Sequence, residues 1–133
     1  MSPFVLESDM LTMGGVFYPT GYAVIMFPSA EDAERVGSEL LGQGLTDEVM
    51  PLSPETILRE ISHTEDGADA PLPSVGTEGA TVRSYDELAR QGHHGLMVHA
   101  ETEEATEAVM RVVRKVPFSF AQKYRKLVIQ DLE

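Results

Sequence analysis

The chain has 133 residues, 42% of them hydrophobic, no cysteine, and a net charge of −12. That length suits one domain around one core, and the apolar share excludes global disorder. The absence of cysteine excludes a disulfide scaffold, a cysteine nucleophile and any thiolate metal site, and it fits a reducing compartment; the negative charge disfavours nucleic acid and anionic membranes as partners.

The first residues, MSPFVLESDM, carry no basic leader region, and Glu7 and Asp9 interrupt the apolar run. No stretch reaches the ~20 apolar residues of a membrane span. The expectation is a soluble, cytoplasmic, single-domain protein over 1–133, with 1–15 as an N-terminal extension.

GYAVIMFP (21–28) is a short β-rich run between Gly and Pro and reads as a strand. Ser29 then caps a helix, with Glu31 and Asp32 in its first turn, an apolar stripe of Ala33, Val36, Leu40 and Leu41, and Gly42 as its end. LTDEVMPL (45–52) reads as a second short strand. In SPETILREI, Ser53 before Pro54 signals another helix start. The Gly-, Pro- and acid-rich stretch 63–80 reads as a flexible acidic loop. SYDELARQG (84–92) predicts a helix with a capping box of Ser84 and Glu87 and a stop at Gly92.

GLMVHA follows as a strand. Thr102 caps a helix with Glu103 and Glu104 at its start and a stripe of Ala105, Ala108, Val109, Val112 and Val116. Residues 117–132 read as extended. The order β-α-β, helical and flexible insertion, β-α-β predicts an α+β fold of the ferredoxin-like, split βαβ kind, with one antiparallel sheet and helices on one face.

Strand patterning adds a complication. Ala23, Ile25 and Phe27 line one face of the first strand while Tyr22, Val24 and Met26 line the other, and Leu96 and Val98 oppose Met97. Both faces are apolar, so the second needs a cover: the insertion, the N-terminal segment, a ligand or a second copy. Isologous pairing is a common solution, and a homodimer through the sheet face is the expectation.

Three of the four histidines lie in GHHGLMVHA. His93 and His99 on one strand stand roughly 20 Å apart, which excludes a shared metal, because two zinc ligands must each lie within ~2.1 Å of it. A site joining His93 or His94 to His63, Asp66 or Asp69 has no spacing to support it. Glu101, Glu103, Glu104 and Glu107 read as a solvated helix start, since helix N-termini attract acids. No phosphate-loop, dinucleotide, nucleophile-elbow or zinc-protease motif is present. The sequence therefore singles out no catalytic residue, no metal site and no cofactor.

Charge is uneven. Residues 1–110 hold four basic and twenty acidic side chains; residues 111–133 hold six basic and two acidic. Arg111, Arg114 and Lys115 complement the C-terminus of a helix. The cluster Lys123, Tyr124, Arg125 and Lys126, with His94, is the candidate ligand-binding set for a small anion or nucleotide, against a plain reading as a solvated edge strand.

The stretch FPSAEDAERVGSELLGQGLTDEVMPLSPE, through Ser29, Ala30, Ala33, Leu40 and Gly44, and the closing YRKLVIQDL resemble small bacterial proteins related to the general stress protein domain. The resemblance covers the first βα unit and the last strand and transfers no catalytic residue. It implies a bacterial, stress-associated or regulatory module. The functional expectation is a non-enzymatic, self-associating binding module taking a small anionic ligand or a protein partner. The alternatives are a nucleotide or small-anion sensor over which loop 63–80 closes, and a small dimeric enzyme using His94 or His99 as base.

Overall fold

The computed structural model describes residues 1–66 and 77–133. It is an α+β fold with an open, five-stranded antiparallel sheet. In chain order the elements are β1 (Tyr22–Phe27), α1 (Ala30–Gly42), β2 (Val49–Leu52), α2 (Pro54–Thr56), α3 (Thr77–Arg90), β3 (His94–His99), α4 (Glu103–Val113), β4 (Phe120–Tyr124) and β5 (Ile129–Asp131). Beyond α2 the chain continues through a widened π turn, Ile57–Ile61, into a 3-10 turn, Ser62–Asp66. The sheet order is β2-β3-β1-β4-β5.

Local chemistry explains the element starts. The Ser29, Ser53 and Thr102 side chains accept hydrogen bonds from the backbone N–H of Asp32, Thr56 and Ala105, each satisfying a helix-end donor. Pro51, which cannot donate to a ladder, sits exposed on the edge strand β2. Chain reversal after α1 uses Gly44, at φ +67°, two residues beyond the expected stop at Gly42.

The alternation of β1 and β3 sorts the molecule into two cores. Ala23, Ile25, Phe27, Leu96 and Val98 face α1 and α4 and meet Val36, Leu40, Val109 and Val113. Val24, Met26 and Met97 face the opposite way and meet Ile57, Ile61, Val82, Tyr85 and the N-terminal Met10, Val16 and Phe17. Each large side chain so buried contributes about 1.5–3 kcal/mol, which is why both apolar faces persist.

Helices therefore cover both faces of the sheet, not one. The second face is covered from within the chain by α3, the π turn and the N-terminal segment. The second apolar face that motivated a sheet-mediated homodimer is thus packed by residues of the same chain. The N-terminal segment is tied in closely: the Phe17 N–H donates to Thr64 Oγ1 (3.1 Å), whose hydroxyl donates to the Ile61 carbonyl (2.7 Å).

Three boundaries also differ from expectation. The helix foreseen over 84–92 begins at Thr77, and Ser84 is no cap: its hydroxyl donates to the Ala80 carbonyl one turn back (3.2 Å). The loop expected over 63–80 is a 3-10 turn to Asp66 and helix from Thr77; residues 67–76 of that expectation lie outside the described residues. The extended segment 117–132 is a hairpin of β4 and β5, whose turn exposes Leu127 and Val128.

Candidate functional site

The polar end of the sheet is where β1 and β2 begin and β3 and β4 end. Antiparallel register sets Tyr22 opposite His99 and Ala23 opposite Lys123. Side chains far apart in sequence are thus gathered at one edge.

His99 lies between two carboxylates, with Nδ1 2.7 Å from Asp47 Oδ1 and Nε2 3.0 Å from Glu101 Oε1. A carboxylate oxygen can only accept, so the protonated imidazole, with an N–H on each nitrogen, satisfies both contacts at once. Burial alone would lower the pKa of His99, but the hydrogen bonds to Glu101 and Asp47 outweigh it and raise it. The hydrogen bond from His99 likewise holds Asp47 below the usual carboxylate range. Tyr22 sits against the imidazole with ring centroids 5.1 Å apart and donates to Glu48 Oε1 at 2.5 Å. Burial, reinforced by that hydrogen bond, pushes the Tyr22 phenol up.

Gly21 lets Glu101 reach this position. Its φ of +87° suits glycine, and a Cβ there would stand 2.7 Å from Glu101 Oε1. Its N–H donates to the Tyr124 carbonyl and its carbonyl accepts from the Ala100 N–H, both at 2.9 Å, fixing the corner between β1, β3 and β4.

Lys123 lies next to this corner, on the α4 side of the sheet, and is 3% exposed. Its Nζ donates to the Ala100 carbonyl and to Thr106 Oγ1 (3.0 Å). Among the described residues it has no carboxylate within ion-pair distance. Burial, then the neighbouring Arg125 charge, lowers its pKa against the opposing pull of Glu101 and Glu103. Arg125 pairs with Glu103 (2.8 Å) and Gln130 (2.9 Å), and Lys126 is exposed. A cleft of about 610 Å³ runs between these groups, lined by Thr20, Gly21, Glu101, Glu103 and the stretch Lys123 to Lys126. A second cleft of about 540 Å³ lies beyond the Glu103–Arg125 pair, where Arg114 is already engaged by Glu107 and the Glu133 carbonyl.

The expected ligand set is brought together only in part. Lys123, Arg125 and Lys126 border one cleft. Tyr124 also borders it, but its side chain turns to the other core, where its hydroxyl lies 2.7 Å from that of Tyr85. His94 does not belong: it pairs with Phe27, while Lys123 pairs with Ala23, so it occupies the opposite end of β1. His93 meets Ser119 at 2.9 Å at that same far end. Glu101 and Glu103, expected to be solvated, line the cleft wall. Asp47, Glu48, Tyr22 and Gly21 had no local motif to mark them; only strand register unites them with His99.

Among the described residues no three His, Asp or Glu side chains are grouped to hold a metal ion, and no helix is long and apolar enough to cross a membrane. No protein-family model, curated protein or solved structure matches the chain.

Proposed function

We propose that the protein is a small-anion-binding module whose site is the cleft at the end of β4. One observation carries the reading. The two acids of the cleft wall already have partners, Glu101 in His99 and Glu103 in Arg125, while among the described residues Lys123 and Lys126 have no carboxylate partner. A compact anion completes that arrangement. A long polyanion does not, because the rest of the surface is strongly acidic. The expected nucleotide or small-anion sensor is thereby favoured over a histidine-base enzyme, since both His99 nitrogens are already engaged by carboxylates and His94 lies at the opposite end of β1 from the cleft.

The core fits the split βαβ, ferredoxin-like plan, and we include it in the proposal. The order β2-β3-β1-β4 supports it, with β5 as an added edge and the segment from α2 to α3 inserted between the halves. The general-stress resemblance rests on the first βα unit and the last strand, and it supports a regulatory role.

Thermal unfolding with inorganic phosphate, acetate and AMP tests the anion site. A ligand at 100 times its Kd adds about 2.7 kcal/mol to stability. Lys126→Ala, at an exposed position, should leave the unliganded melting temperature in place and weaken the shift. No shift with any of the three, or an unchanged shift in the variant, removes the proposal.

A further inference from the structure

Lys123 has surroundings that suit an amine as well as they suit an ammonium. The Thr106 hydroxyl donates to the Thr102 carbonyl (2.9 Å), so toward Lys123 it can only accept. The Ala100 carbonyl is a second acceptor. These two match the two N–H bonds of a neutral lysine and leave one tetrahedral position of Nζ without a partner among the described residues. Burial at 3% exposure, then the cation two residues on at Arg125, disfavour a charge there and outweigh the opposing pull of Glu101 and Glu103. Burial beside a second cation is how lysines are activated as nucleophiles, and this one borders a cleft able to admit a small molecule.

We infer that Lys123 captures a carbonyl: the ligand of the cleft is a small anion carrying an aldehyde or ketone, and Nζ condenses with it to an imine. This rests on the anion reading above, with Lys126 at the rim meeting the charged end. The Nζ lone pair adds to the carbonyl carbon, and a proton moves from nitrogen to the new alkoxide to give a carbinolamine. The hydroxyl then leaves with a proton as water, and the proton on the resulting iminium is returned. One carbonyl and one amine become one imine and one water, with no oxidant or reductant.

The sequence makes the test clean, because the chain has only three lysines, Lys115, Lys123 and Lys126. Lys115 is held by Glu39 at 2.6 Å on the surface and serves as the internal reference. The full chain is treated at neutral pH with glyoxylate and cyanoborohydride, which fixes an imine as carboxymethyl-lysine, and each lysine is followed by peptide mass spectrometry. Lys123 should be modified at least about tenfold faster than Lys115, a small part of what positioning a reactant beside an amine delivers. Glycolate, the same anion without the carbonyl, should slow Lys123 selectively, and so should Lys126→Ala. Modification of Lys123 no faster than Lys115, or insensitive to glycolate, overturns the inference. A thermal shift with glycolate separates the two failures. A shift without preferential labelling removes the imine and keeps the anion site; neither shift nor labelling removes both.

Discussion

The hydroxyls of Tyr85 and Tyr124 hold the second core to the sheet, and a double-mutant cycle measures that link. The oxygens are 2.7 Å apart, and the residues are 1% and 0% exposed. Among the described residues each hydroxyl has the other as its hydrogen-bond partner, so Tyr85→Phe leaves the Tyr124 hydroxyl buried and unpaired, and the converse holds. An orphaned buried hydroxyl costs about 1–3 kcal/mol, whereas replacing both partners by apolar groups of the same shape is nearly neutral. Each single variant should lose about 2 kcal/mol. With a urea slope of about 2 kcal/mol/M, the midpoint falls by about 1 M. The double variant should recover most of this, giving a coupling of at least about 1 kcal/mol. Equilibrium urea unfolding of the four proteins supplies the cycle. Because α3 and the N-terminal segment of the same chain cover this face, the midpoints should not depend on protein concentration. Additive losses, or single variants as stable as the parent, would refute the pairing.

Gly21→Ala should cost about 1–2 kcal/mol for its left-handed backbone alone. It should also displace Glu101 from His99, visible as a fall in the His99 pKa by NMR; an unchanged titration would show that Glu101 does not depend on the missing Cβ. Since the folded pKa of His99 is raised, its pairing stabilises fully below the unfolded value of about 6.5 and is lost as pH rises through the folded value. Stability should therefore fall across that window in the parent and fall less steeply in His99→Gln, and equal slopes would sink the assignment. Ser29→Ala and Thr102→Ala should each cost about 1 kcal/mol in urea unfolding through loss of a helix cap, and a neutral result would mean the caps are replaced by water.

Periodicity carried much of the fold. The alternation in β1 separated Ile25 from Val24 correctly, and Ser29 and Thr102 marked helix starts through side-chain chemistry that acts within three residues. What alternation cannot say is what covers a second apolar face. That depended on contacts of high sequence separation, such as Phe17 with Tyr124 at 6.0 Å between ring centroids. The start of α3 was hidden because Ser84 satisfies both a capping pattern and a mid-helix bond to the preceding turn.

The site was legible only as a charge excess. Lys123, Arg125 and Lys126 stood out against an acidic chain, but charge and composition did not reveal that His94 lies at the other end of β1 or that the Tyr124 side chain turns to the second core. Asp47, His99 and Glu101 meet because β2 enters beside the end of β3, which is a consequence of sheet order and register. His99 and Glu101 are only two residues apart, but no local spacing brings Asp47 to them.

Amide chemical shifts followed during a titration with inorganic phosphate test the anion cleft most directly. Saturable changes should centre on Gly21, Glu101 and Lys123 to Lys126, with the opposite sheet end at His93, His94 and Ser119 unmoved. Changes concentrated at His93 and His94, or none at phosphate levels that leave the fold intact, would contradict the anion cleft.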